Sequence, residues 1–161
     1  MKIVSWNING LAACRRKGFL KFLSNFNPDI MCCQEIKSPC PLNTPGYLPF
    51  WYPATRKNYS GTLILSKLEP LSVAYGLGLR SLDEEGRAIT LEYENYFVVN
   101  VYFPNLNPHS VPNRPQYRRK WESALRTHIK RLHKPVVLCG DFNVAHSYID
   151  IYPDNQKNSP E

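Results

Sequence analysis

The stretch Lys2–Glu35, KIVSWNINGLAACRRKGFLKFLSNFNPDIMCCQE, decides the architecture. Lys2 to Trp6 reads as a short buried strand. From Arg15 to Phe26 the apolar residues Phe19, Phe22, Leu23 and Phe26 recur at a helical spacing, which predicts one helix. Pro28 ends it, since proline has no N–H to continue the ladder. Asp29 to Cys33 is then the next strand. Strand, helix and strand in so short a length predict parallel neighbours in an α/β sheet. Both strands run out into polar residues, the first into Asn7 and Asn9, the second into Glu35.

Outward from this unit, a proline-rich loop spans Ser38 to Gly46. The middle of the chain is strand and turn: Tyr47–Tyr52, Thr62–Leu65, Leu71–Tyr75, Arg87–Tyr93 and Tyr96–Tyr102. Glu94-Asn95 is the tight link between the last two. A polar loop runs from Pro104 to Pro115. The clearest helix follows, with Tyr117, Trp121, Ala124, Leu125, His128, Ile129 and Leu132 on one largely apolar face and Pro115 suited to its first turn. Lys134-Pro135 stops it, and Pro135 to Cys139 is the last strand, delivering Asp141 and Asn143 to a loop. After Ile151 the sequence YPDNQKNSPE has no apolar periodicity and predicts loop or frayed tail.

With 161 residues, one domain is expected, and a chain of this size buries a real core. The net charge of +7 favours polyanionic partners such as nucleic acid. No apolar run approaches a membrane span, and Trp6-Asn7 interrupts the N-terminal apolar run before it resembles a signal peptide. The five cysteines form no C-x-x-C pair and their count is odd, so neither a disulfide framework nor a zinc knuckle is suggested. Cys32, Cys33 and Cys139 lie in apolar runs, where free cysteine behaves as a small hydrophobe. A reducing, cytoplasmic compartment is therefore expected.

Three strand ends thus carry Asn, Glu, Asp and Asn, a set suited to metal-assisted phosphodiester chemistry. Open α/β sheets place ligands at the carboxyl ends of their strands. Mg2+ takes one or two carboxylates and keeps water for the rest of its shell, and Glu35 with Asp141 supplies that number. An ionised Asp141 can orient or deprotonate water, while the Asn143 amide can donate to a phosphate oxygen. Asn7 and Asn9 extend this polar floor, since alternate residues of an extended segment face one side. Tyr102, before Phe103-Pro104-Asn105, can set its hydroxyl against a phosphate. Each residue also has a plainer reading. Glu35 pairs with Lys37 in solvent, Asp141 closes an Asx-turn, the two asparagines form turns, and Tyr102 is a buried hairpin aromatic. Of the histidines, His128 and His133 are structural, His109 lies in a polar loop, and His146 orients the loop after Asn143. Arg118, Arg119 and Lys120, with Arg126, Lys130 and Arg131, read first as a solvated helix face and second as phosphate contacts.

Taken together, KIVSWNINGL, PDIMCCQEIK, YSGTLILSK, EEGRAITLEY, VNVYFPN, YRRKWESAL and GDFNVAHSYIDI resemble the exonuclease III and apurinic/apyrimidinic endonuclease family, within the endonuclease/exonuclease/phosphatase superfamily. The resemblance implies a four-layer α/β sandwich of two mixed sheets with helices outside. It also implies hydrolysis of phosphodiester bonds in double-stranded DNA at abasic sites and 3′ ends, with Mg2+ or Mn2+. By the same resemblance, Glu35 and Asn7 would hold the metal, Tyr102 would contact the scissile phosphate, and Asp141 would position or activate water. Asn143 would stabilise the transition state, and Asn9, Asn105 and Arg118 would contact phosphate or DNA. An abasic nucleotide has no base to unstack, so extruding it is less costly. The family's terminal Ser-Asp-His motif, a further catalytic Asp and the tryptophan-containing segment before it are absent from this sequence. Ala12 stands where the family usually has Arg. The chain is thus expected to be a truncated or alternatively terminated member, a single partial domain over residues 1–161 with an exposed sheet edge. Binding of nucleic acid without catalysis is the alternative expectation.

Overall fold

A computed structural model describes residues 1–40, 43–106 and 113–150; His109 and the tail from residue 151 lie outside the described residues. The chain runs β1 (Ile3–Asn7), α1 (Leu11–Arg16), α2 (Phe19–Phe26), β2 (Ile30–Gln34), β3 (Leu48–Tyr52), β4 (Thr62–Ser66) and β5 (Ser72–Tyr75). It continues through α3 (Arg80–Asp83), β6 (Ala88–Glu92), β7 (Phe97–Tyr102), α4 (Arg114–Lys130) and β8 (Val136–Asp141), with a 3-10 turn at Tyr148–Asp150. Each expected strand is present.

The strands form two four-stranded mixed sheets, ordered β1-β2-β4-β3 and β5-β6-β7-β8. The helical crossovers make two parallel pairs, β1 with β2 and β7 with β8, and the remaining pairs are antiparallel. Alternation along the strands sorts the side chains into layers. Met31, Cys33, Leu63 and Leu65 pack under α1 and α2 with Leu11, Phe19 and Leu23. Their neighbours Ile30, Cys32 and Ile64 turn the other way and meet Ile89, Leu91 and Val98 between the sheets. Val99 and Val101 face outward onto Trp121 and Leu125 of α4. The result is helices, sheet, sheet and helix, the four layers expected.

Two departures have local causes. The single helix expected over Arg15–Phe26 is two helices, because Gly18 adopts a left-handed φ of 100° and caps α2. The helix α1 begins earlier, at Leu11, and buries Leu11 and Cys14. The short helix α3, absent from the expectation, is closed by Asp83, whose carboxylate accepts the N–H groups of Leu77 (2.7 Å) and Leu79 (2.8 Å).

The apolar centre is pinned by one polar peg. Asn100, fully buried on β7, donates to Cys33 O (3.0 Å) and Leu63 O (3.1 Å) of the opposite sheet. It also accepts from Gln34 Nε2 at 2.7 Å. Every side-chain polar atom of Asn100 is used, the condition under which burying an amide is tolerated. At Gly140, with φ of 145°, a Cβ would stand 1.9 Å from Val101 O, so only glycine lets β8 lie this close to β7. The edges β1 and β8 fall on the same flank of the sandwich, where Trp6 and Val137 stay part-exposed.

Candidate active site

The register of the two parallel pairs builds the site. Asn7 stands opposite Gln34, so Glu35 follows directly beside it, and Tyr102 stands opposite Asp141. All four therefore reach the carboxyl ends of β1, β2, β7 and β8 at one end of the sandwich. Asn7 Nδ2 joins the two sheets there, donating to Glu35 Oε2 at 3.0 Å and Asp141 Oδ2 at 2.7 Å.

The backbone around this cluster is unusual. Asn9, Glu35, Lys37 and Asn143 all have positive φ, between 44° and 57°. Such conformations are strained for non-glycine residues and gather at functional sites. Local bonds hold them. Asn9 N–H donates to Asn7 Oδ1 (2.9 Å), and Asn9 Oδ1 accepts from Lys37 Nζ (2.8 Å). The same ammonium lies 2.8 Å from Glu35 Oε1. The solvent pairing of Glu35 with Lys37 is thus present, within the cluster.

Asp141 Oδ1 accepts the N–H of Asn143 at 2.9 Å, an Asx-turn, while its other oxygen faces Asn7. Asn143 Nδ2 donates to Phe103 O at 2.7 Å, which ties the loop after β8 to the segment after β7 and leaves one amide hydrogen for a ligand. Burial, with the charge of Glu35 next, pushes the Tyr102 phenol up to about 12. It stays protonated at neutral pH and so has an O–H to donate.

Two expectations are corrected. Arg118 is not a solvent-facing phosphate contact. It is buried, and its guanidinium turns inward to Pro104 O, Phe142 O and Asn143 O, each at 3.1 Å, and to Glu122 at 2.7 Å. His146 is exposed and forms no hydrogen bond among the described residues; Ser147 and Asp150 close that turn instead. The backbone oxygen of Asn105 accepts from Arg114 at 3.3 Å, and its Oδ1 is buried with no hydrogen-bond partner among the described residues. His128 bonds Thr90 at 2.8 Å, a structural role as expected. The sequence reading passed over Glu85, Arg87 and Arg114, which pack behind Tyr102. Charged residues just before the apolar run Ala88–Leu91, and an arginine on the buried face of α4, were the available signals.

Among the described residues, no three His, Cys, Asp or Glu side chains gather as a metal cage. The donor set is the two carboxylates of Glu35 and Asp141, hard oxygen with no sulfur or imidazole, with the Asn7 amide N–H group between them. That set fits a divalent ion such as Mg2+, which keeps most of its water.

Residues 4–158 match the Endonuclease/Exonuclease/phosphatase family. The chain is 48% identical over 157 residues to an exodeoxyribonuclease of Bacillus subtilis (strain 168), covering 94% of this chain and 62% of the relative. It is 37% identical to a DNA-(apurinic or apyrimidinic site) endonuclease of Dictyostelium discoideum, covering 99% of this chain and 46% of that protein. Among solved structures it resembles a 3′-5′ exonuclease (NExo) from Neisseria meningitidis, with TM-score 0.77 and 31% identity over 97% of this chain and 63% of that one. The Xenopus laevis APE2 catalytic domain matches with TM-score 0.79 and 28% identity, covering 99% of this chain and 64% of that one. The chain therefore spans about half to two thirds of the length of its relatives. The chain belongs to the Endonuclease/Exonuclease/phosphatase family.

Proposed function

We propose that this protein hydrolyses phosphodiester bonds of double-stranded DNA, at abasic sites and 3′ ends, as a Mg2+-dependent repair nuclease. The observation that carries the reading is the Asn7 bridge, which sets Glu35 and Asp141 side by side at the ends of parallel strands in both sheets. The relatives' names, exodeoxyribonuclease and apurinic or apyrimidinic site endonuclease, support the substrate class.

Glu35, with Asn7, would hold the metal, and when bound it supplies charge neutralisation at the phosphate. Asp141, fixed by Asn7 and by the Asn143 N–H, orients an attacking water and takes its proton. The protonated Tyr102 phenol donates to a phosphate oxygen, as does the remaining Asn143 amide hydrogen. Phosphoryl transfer needs positioning and charge stabilisation more than covalent chemistry, and these groups supply both. Asn9 and Lys37, bonded together beside Glu35, would contact the flanking phosphate. The net charge of +7 favours the polyanion. Free cysteines, three of them buried, fit a reducing intracellular compartment.

The test is incision of a duplex carrying one abasic-site analogue by the wild-type chain and by Asp141→Asn. The expected result is loss of about 10²-fold or more in the variant, which also excludes a contaminating nuclease. Equal incision by both would refute the role of Asp141.

A further inference from the structure

Three arginines lie behind the site, each nearly inaccessible: Arg87 at 2%, Arg114 at 1% and Arg118 at 6% exposure. Between them they bind four successive carbonyls, from the last residue of β7 into the loop that follows it. Arg87 Nη1 donates to Tyr102 O (2.8 Å) and Phe103 O (3.0 Å). Arg118 Nη1 donates to Pro104 O at 3.1 Å, and Arg114 Nε to Asn105 O at 3.3 Å. Arg118 also takes Phe142 O and Asn143 O, so one guanidinium holds both site loops at once.

We propose that Arg87, Arg114 and Arg118 form a positioning scaffold for Tyr102, Asn105 and Asn143. Their guanidiniums draw the carbonyls of residues 102–105, 142 and 143 inward, fix the two loops in one register, and place a buried positive charge beneath the phosphate site. The proposal rests on the nuclease reading for its consequence in catalysis, and on geometry alone for the scaffold.

The geometry demands arginine. Arg118 reaches three carbonyls and Glu122 through all three of its nitrogens, and Arg87 reaches Glu85 through Nε and two carbonyls through Nη1, planar spreads that an ammonium on a flexible stem does not reproduce. The Arg87 guanidinium also lies over the Tyr102 ring, 4.5 Å from its centroid, and the Tyr102 N–H donates back to Arg87 O at 2.8 Å. Ring and backbone of Tyr102 are thus held by one residue. The cations are themselves held in place. Glu85 pairs with both Arg87 and Arg114, Tyr59 Oη lies 3.1 Å from Arg114, and Glu122 pairs with Arg118. Two carboxylates against three guanidiniums leave one positive charge uncompensated. Fixed charge of this kind, away from water, stabilises developing negative charge without reorganisation. Of the four bonds of Arg118, three go to carbonyls of the two loops and one to Glu122 on its own helix.

The test compares wild type with Arg118→Lys, which keeps the charge and loses the fork; Arg87→Lys is the second variant should the first lose cooperative unfolding. Two readouts are taken. Hydrogen exchange is followed at the amides of residues 103, 105 and 106 and of 142–144, and single-turnover and steady-state incision are measured on a duplex with one abasic-site analogue and Mg2+. The expected result is faster exchange confined to those two loops. With it, kcat falls about 10- to 100-fold while KM stays within about threefold, the signature of misplaced transition-state contacts. If the wild-type chain does not incise, the nuclease reading fails, and the exchange arm alone decides the scaffold. Unchanged exchange in both loops, or unchanged kcat in an active protein, would overturn the proposal. Uniformly faster exchange across the chain in both variants would also overturn it, since the arginines would then support the whole fold and not the loops.

Discussion

Asn7 donates its side-chain N–H to Asp141 at 2.7 Å, joining residues 134 positions apart and the edge strands of two different sheets. The second bond of the same amide group, to Glu35, makes this asparagine the hinge between both carboxylates. Replacing it with alanine removes both bonds and leaves two carboxylates facing each other. Asn7→Ala is expected to lower stability by about 1–2 kcal/mol, near the net worth of two part-buried hydrogen bonds. It should reduce incision by about tenfold or more. Urea unfolding and single-turnover cleavage, measured on the same preparation, check both.

Lys37 occupies Glu35 Oε1 at 2.8 Å, so an arriving cation meets a competitor. Lys37→Ala is expected to shift half-saturation by Mg2+ to lower concentration, by about three- to fivefold. That range corresponds to the roughly 0–1 kcal/mol of an accessible ion pair. Thermal stability should barely change. A Mg2+ titration of activity reads the effect, and a shift to higher concentration would argue that Lys37 assists the metal.

Asn100 is the peg that locks one sheet to the other. Asn100→Val takes the Asn100 amide from Cys33 O and Leu63 O in the core, and removes one of three acceptors of Gln34 Nε2, which keeps Ser5 Oγ and Cys32 O. A loss of about 2–5 kcal/mol is expected, since each orphaned buried group costs about 1–3 kcal/mol and relaxation recovers part. The urea midpoint should fall with the m-value unchanged.

Glu85 supplies a pH signature. Burial raises its carboxyl, but hydrogen bonds from Arg114 and the charge of Arg87 outweigh burial and hold it below the usual range. A carboxyl depressed in the folded state contributes stability that is complete above its unfolded value of about 4.3 and is lost as pH falls through the folded value. Glu85→Gln is therefore expected to be less stable than wild type at pH 7, by about 3 kcal/mol, because two buried guanidiniums lose their counter-ion. The gap should narrow as pH drops below about 4. Acid titrations of both proteins, followed by circular dichroism, test this.

Strands and the site's outline were legible because both depend on periodicity and on polar residues at strand ends. Asn7, Glu35, Tyr102 and Asp141 converge because parallel pairing aligns the ends of β1, β2, β7 and β8. What was not legible depends on contacts distant in sequence. The break at Gly18 lies inside a run whose apolar spacing continues through it, and α3 has four residues, too few to show a period. Arg118 looked solvated within Arg118-Arg119-Lys120, yet Arg114, Arg118, Trp121 and Leu125 share one buried stripe of α4 at helical spacing. The pattern was present, but basic side chains are seldom buried without partners, and the partner carbonyls at 104, 142 and 143 emerge only from the fold.

The central claim is that Glu35 and Asp141, joined by Asn7, form a working metal-assisted hydrolytic site. The direct measurement is incision of a duplex with one abasic-site analogue, in Mg2+ and in chelator, by the wild-type chain and by Glu35→Ala. The account predicts incision that requires Mg2+ and is lost in Glu35→Ala. A folded wild-type chain that binds the duplex and leaves it intact, or incision that persists in Glu35→Ala, would contradict it.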